Sequence, residues 1–205
     1  MSKIDFKKEL RELYNPPKKF VIVEVPDMQF LMLDGHGDPN AAQEYQDALE
    51  VLYAVAYKLK FMSKKQLGKD YVVPPLEGLW WADDMETFTS ARDKSQWDWT
   101  MMIMSPEWIS SEMFAEAIEQ VHEGKNPVAL GKVRLERYQE GECVQIMHVG
   151  SYDDEGPVLM KLHRDFLPEY GYIENGKHHE IYLGDPRRVA PEKLKTILRQ
   201  PVQKL

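Results

Sequence analysis

Apolar side chains that recur every three or four residues mark helices, and strict alternation marks strands. By that rule residues 4–14 form a short amphipathic helix, with Ile4, Phe6, Leu10, Leu13 and Tyr14 set among Lys and Glu and a stop at Asn15-Pro16-Pro17. Two β-rich runs follow, Phe20 to Pro26 and Met28 to Gly35, each bounded by turn residues. Asp38-Pro39 has the form of an N-cap with proline at the first helical position, and Tyr45, Leu49, Leu52, Ala56 and Leu59 then keep helical spacing from Ala41 to about Phe61. Lys58 to Asp70 is polar and reads as a loop. Strands Tyr71 to Trp81 and Trp97 to Met104 come next, joined by a polar loop holding Asp83-Asp84 and Asp93-Lys94. Alternation puts Trp97, Trp99, Met101 and Ile103 on one face, a core pattern.

Ser105-Pro106-Glu107 and Ser110-Ser111-Glu112 both read as helix starts, ahead of a stripe of Phe114, Ile118 and Val121 ended by Gly124. Val128 to Tyr138 and Glu142 to Val149, split by Glu140-Gly141, read as a β-hairpin. Pro157 to Tyr170 is a second helix with Leu159, Leu162, Phe166 and Leu167 as its stripe, and Leu194, Ile197 and Leu198 predict a closing helix over 191–198. The order of elements repeats. Leu33-Asp34-Gly35-His36-Gly37-Asp38 parallels His148-Val149-Gly150-Ser151-Tyr152-Asp153, and each strand end leads to a helix and then to a strand carrying a glutamate, Glu77 or Glu180. The expectation is an arm over 1–17 and one α+β domain over 18–205, built from strand-helix-strand-strand halves at about 18–105 and 125–190 around a pseudo-twofold groove.

Composition narrows the function classes. A chain of 205 residues with 43% hydrophobic and 29% charged residues supports one filled core. Net charge of -8 leaves no basic stripe for a nucleic-acid backbone. No apolar run approaches a membrane span or a signal peptide, and the single Cys143 fits a reducing compartment, so a cytoplasmic location is expected. The six histidines lack ligand spacing, Gly35-His36-Gly37 falls short of a phosphate loop, and neither a metal nor a cofactor is predicted.

Candidate chemistry concentrates in two strands. In His179-Glu180-Ile181-Tyr182-Leu183-Gly184-Asp185-Pro186, Ile181 and Leu183 face a core while Glu180 and Tyr182 share the other side. In Pro75-Leu76-Glu77-Gly78-Leu79-Trp80-Trp81, a bulge at Gly78 would bring Glu77 and Trp80 to one face, with Trp81 beside them. Together these strands are expected to line one pocket. A glutamate in an aromatic groove should have its pKa raised by desolvation. Tyr53 and Tyr57 on the long helix either reach the groove or pack on the sheet, and His148 is a strand-end, groove-lining candidate. From spacing alone, a solvated outer strand face explains Glu180 and a half-buried aromatic explains Tyr182.

These segments, with Arg187-Arg188, Pro191 to Arg199 and His148 to Glu155, resemble stand-alone proteins of the GyrI-like small-molecule-binding superfamily over about residues 17–202. The resemblance implies antiparallel sheets forming a groove for hydrophobic, planar or cationic ligands, as in effector domains of multidrug-responsive regulators. It also implies similarity to a branch that hydrolyses cyclopropanoid, DNA-alkylating genotoxins for self-protection. On that reading Glu180, Tyr182 and Glu77 are the catalytic candidates, and Trp80, Trp81, Tyr53, Tyr57, His148 and Tyr152 bind the ligand. Alternatives are a non-catalytic drug-sequestering protein, a gyrase-inhibitor-like interaction protein and a haem binder, in a monomer or homodimer.

Overall fold

The computed structural model describes residues 3–83 and 93–205. Asp84 of the predicted polar loop lies outside the described residues. The N-terminal arm is two short turns, α1 (Phe6–Glu9) and α2 (Arg11–Tyr14), broken at Leu10. Strands β1 (Val21–Val25) and β2 (Met28–His36) lead to the long helix α3 (Gln43–Met62). Strands β3 (Leu76–Trp81) and β4 (Asp98–Met104), helix α4 (Ser111–Glu123), and strands β5 (Arg134–Tyr138) and β6 (Gly141–Val149) follow. Helix α5 (Gly156–Lys161) continues through a π turn into α6 (Leu167–Glu169), ahead of β7 (Tyr172–Glu174), β8 (His178–Tyr182) and β9 (Lys195–Lys204). No helix among the described residues is long and apolar enough to cross a membrane.

The sheet is antiparallel, in the order β1-β6-β9-β8-β3-β4-β2-β5, with β7 paired to β9. That order is the same pattern read from either edge, since β1 and β5, β6 and β2, β9 and β4 occupy equivalent places about a central β8–β3 pair. Only Pro26 and Asp27 join β1 to β2, yet these strands stand near opposite ends of the order. The sheet must therefore curl until its edges approach.

The two faces of the curl carry different cores. Leu31, Leu33, Trp80, Trp99, Met101 and Ile103 point outward and are covered by α3 through Val51, Leu52, Val55 and Leu59. Facing inward, Phe30, Met32, Leu79, Met102, Cys143, Ile181 and Ile197 are closed off by Leu13 and Tyr14 of the arm. A third cluster under α5 and α6 joins Val144, Leu162, Leu167 and Val202.

Five expectations are corrected. β5 and β6 are not a hairpin, because β5 pairs with β2 while β6 pairs with β1 and β9, and Glu140-Gly141 turns the chain from one edge of the curl to the other. Residues 191–198 do not form a helix: only Pro191–Lys193 turns, and β9 is buried on both faces, where a continuous apolar run is indistinguishable from a helical stripe. The segment after Lys58 stays helical through Met62 and a π turn at Ser63–Leu67, ending at Gly68 with φ 68°. Buried Leu59 and Met62 hold that face, and Lys60 finds Asp70 at 2.8 Å. Asp38 does not cap α3; its side chain accepts from Asn40 N at 2.9 Å in a turn before the helix. Nor does β3 bulge at Gly78, as its register with β4 and β8 is unbroken from Leu76 to Trp80.

Candidate functional site

Strand β8 reads His178-His179-Glu180-Ile181-Tyr182, and its pairing with β3 sets Trp80 opposite His178, Gly78 opposite Glu180 and Leu76 opposite Tyr182. These six residues share the outward face. Above them is a cavity of about 820 Å³, walled by Tyr45, Leu49 and Tyr53 of α3, by Trp97 before β4, and by Tyr152, Glu155 and Leu159 from the second half.

At its floor Tyr182 donates its hydroxyl hydrogen to Glu180 Oε2 at 2.7 Å and accepts from Trp80 Nε1 at 3.0 Å. Gly78 makes that possible. A Cβ there would stand 2.8 Å from Trp80 Nε1 and 3.2 Å from Met101 Sδ, so only glycine lets the indole fold back over the strand. The second carboxylate oxygen of Glu180 faces His178 Nε2 at 3.5 Å. Tyr152 packs edge-on against Tyr182 with ring centroids 5.6 Å apart, and Tyr45 lies 6.3 Å from Trp80.

The electrostatics differ from the sequence expectation. Burial pushes Glu180 upward, but His178, Tyr182 and a hydrogen bond with Glu155 outweigh it and hold the carboxyl below its ordinary range. Burial and the nearby Glu180 charge push the phenols the other way, Tyr182 well above its ordinary value and Tyr152 up to about 12. The site therefore holds a carboxylate and neutral phenols across the physiological range.

Glu77 stands elsewhere. Paired with Ile181, it points inward and is 1% exposed. Its carboxylate accepts from Tyr14 at 2.8 Å and pairs with His179 Nε2 at 3.0 Å. His179 Nδ1 reaches Glu140 at 2.9 Å, and Arg199 Nη1 binds the same Glu140 at 3.1 Å. An imidazole between two carboxylates donates from both nitrogens and is therefore an imidazolium. Two anions and two cations then balance. Burial alone would raise Glu140, but His179 and Arg199 bring it down to about 2; burial would lower His179, and Glu140 and Glu77 raise it. Arg199 Nη2 also donates to Leu13 O at 2.8 Å and Gln145 Nε2 to Glu12 O at 2.7 Å, which fastens the arm to this network.

Of the residues singled out in the sequence, Glu180, Tyr182, Trp80, Tyr53 and Tyr152 line the cavity. Glu77 and Trp81 are on the inward side, Trp81 beneath Lys177 Nζ at 3.2 Å from its ring centroid. Tyr57 is exposed beside Tyr53, and His148 is buried outside the cavity with Nε2 at 3.1 Å from Ser151 O. Trp97, read as core, lines the cavity instead, while Trp99 is fully buried. Tyr45, His178 and Glu155 were not singled out. His178 was legible from its alternation with Glu180 and Tyr182, whereas Tyr45 and Glu155 reach the cavity only through the tertiary fold. Among the described residues no three His, Cys, Asp or Glu side chains converge as a metal site.

This chain belongs to the GyrI-like small molecule binding domain family, whose model matches residues 18–203. Among solved structures it is similar to an uncharacterized conserved protein from Listeria innocua, at 44% identity and TM-score 0.90, covering 98% of this chain and 100% of that one. A hydrolase from Listeria innocua is 43% identical with TM-score 0.85 over the same shares. The EcmrR C-terminal domain shares the fold alone, at 10% identity and TM-score 0.54 over 91% of this chain and 98% of that one. No curated protein matches the chain.

Proposed function

We propose that the cavity binds hydrophobic planar or cationic molecules and hydrolyses spirocyclopropyl-dienone compounds by adding water across the strained ring. The observation that carries this reading is a partly buried carboxylate, Glu180, fixed by Tyr182 and surrounded by Trp80, Tyr45 and Tyr152. A similar protein of 43% identity that is a hydrolase supports the reaction class.

In this mechanism the aromatic walls stack on the flat substrate and Glu180 orients a water molecule. The water oxygen bonds to the ring methylene carbon, the strained C–C bond breaks, and its electron pair moves through the dienone to its oxygen. Glu180 takes the water proton, and the phenolate product is protonated from solvent. Tyr182 is already hydrogen-bonded to Glu180, so it serves the base. Trp80 N–H supports the phenol as charge shifts toward it.

A second reading is favoured by the low pKa direction of Glu180. A weakly basic, permanent anion among aromatic faces suits capture of a cation without turnover. Mass spectrometry of a spirocyclopropyl dienone mixed with the protein and with Glu180→Gln distinguishes the two. Catalytic gain of one water by the wild type, lost in Glu180→Gln and kept in Glu77→Gln, is the expected result. Binding without turnover would leave sequestration as the function.

A further inference from the structure

We infer that His178 is a positioning residue for Glu180, a proton carrier that takes up the proton Glu180 removes from water; this rests on the hydrolytic reading above. Three features of the fold lead there. His178, Glu180 and Tyr182 alternate along β8 and share the cavity face. His178 is 8% exposed, and neither ring nitrogen has a hydrogen-bond partner among the described residues. A buried imidazole left in that state costs stability, about 1–3 kcal/mol for an unsatisfied polar group, and such groups collect where chemistry needs them. Finally, Nε2 faces Glu180 Oε1 at 3.5 Å, ion-pair range but outside a made hydrogen bond, while Oε2 is already taken by Tyr182.

The division of labour follows from those distances. Glu180 meets the water, because it lines the cavity and Tyr182 fixes one of its oxygens. Once protonated, it is a neutral acid beside a neutral imidazole with no other partner, and transfer across the short gap restores the carboxylate as an ion pair with imidazolium. The imidazolium then loses its proton to solvent. Hydroxyl has gone to carbon and one proton to the phenolate oxygen, so the sum is water addition with no oxidant or reductant. The other titratable groups that bear on His178 are Tyr182 on its own strand, Glu155 in the same cavity, and Glu174 of β7, which is itself paired with His163 at 2.6 Å. Glu174 is bound to His163, and Glu180 stands 3.5 Å from His178 Nε2, so Glu180 is the carboxylate placed to exchange a proton with His178.

The test is the pH profile of kcat/KM for hydrolysis of a spirocyclopropyl dienone between pH 5 and 8, corrected for uncatalysed acid opening. A carrier that must be neutral predicts a fall in kcat/KM of about tenfold per pH unit toward acid. His178→Gln, a neutral amide of similar reach, should flatten the profile and lower the plateau with KM little changed. A flat wild-type profile, or a limb that survives in His178→Gln, would overturn the assignment. NMR of the labelled imidazoles provides a readout independent of turnover. Glu180→Gln should shift the His178 ring resonances, and resonances that do not move would refute the pairing even if no dienone is hydrolysed, a result that by itself would sink only the hydrolytic reading.

Discussion

Replacing Gly78 by alanine should destabilise the protein, although the usual effect of removing a strand glycine is a gain. Gly78 is absent from the positive-φ glycines, so alanine fits the backbone, and relief of glycine's entropy cost would contribute ~0.5–1 kcal/mol in its favour. The added methyl opposes this. It would stand 2.8 Å from Trp80 Nε1, closer than such atoms can remain, and a tight 3.2 Å from Met101 Sδ, so the indole must move. Overpacking of this kind costs about 1–3 kcal/mol. The displaced indole also gives up its 3.0 Å bond to the Tyr182 hydroxyl, worth ~0.5–1.5 kcal/mol. The balance is a net loss of about 0.5–4 kcal/mol, with a Tm lower by roughly 2–4 °C per kcal/mol for a chain of this size. Thermal melts of Gly78→Ala, Tyr182→Phe and the double variant test the cause. If the methyl acts through the indole-phenol bond, the double variant loses less than the sum of the singles, by a coupling of ~0.5–1.5 kcal/mol. Additive losses, or an alanine variant as stable as the wild type, would refute the account.

Two further expectations concern the inward network. Glu140 has a folded-state pKa of about 2 against an ordinary 4.5, so its contribution is present above pH 4.5 and is lost as pH falls toward 2, on the order of 3 kcal/mol in all. His179 is raised, so its contribution is complete below the ordinary imidazole range and is lost as pH climbs through the raised value. Melts across pH should show both limbs, and the acid limb should shrink in Glu140→Gln; an acid limb of unchanged size in that variant would exclude Glu140 as its source. Arg199→Met leaves Glu140 with one cation and frees Leu13 O, and removing one partner of a buried pair costs about 3–5 kcal/mol. Early amide-exchange loss of protection in residues 11–14 would accompany it, and unchanged protection there would show that the arm is held by its apolar contacts alone.

Much of the outward face was legible in the sequence because period-2 alternation decides it. Glu180 and Tyr182 share a face for the same reason that Trp99, Met101 and Ile103 do. The placement of Glu77 was misjudged because a glycine in a strand has two explanations, a bulge or a close approach, and the second depends on where the Trp80 ring lies in three dimensions. Without the bulge, Glu77 falls one residue out of phase with Glu180's partner Gly78 and points to the other side. The inward network was invisible for a different reason. Its members come from α2, β3, the β5–β6 turn, β6, β8 and β9, and no local spacing links them. The closing strand was missed because burial on both faces erases alternation.

The position of β9 bears on how the chain acquires its structure. This strand is the last in chain order, yet it lies between β6 and β8 near the middle of the sheet. Until it is synthesised, β6 has only the edge strand β1 as a ladder partner and β8 has only β3, so the sheet stays in two pieces, β1-β6 and β8-β3-β4-β2-β5. Arg199, which holds the arm at Leu13 O, is also on β9, 186 residues away. Vectorial folding from the N-terminus is thus ruled out for the sheet as a whole. The larger piece can collapse around α3 and wait, exposing the unpaired edge of β8, and completion is set by long-range closure, a slow step. Nascent chains halted before residue 195 should accordingly be the ones that engage chaperones, with release following emergence of the last strand.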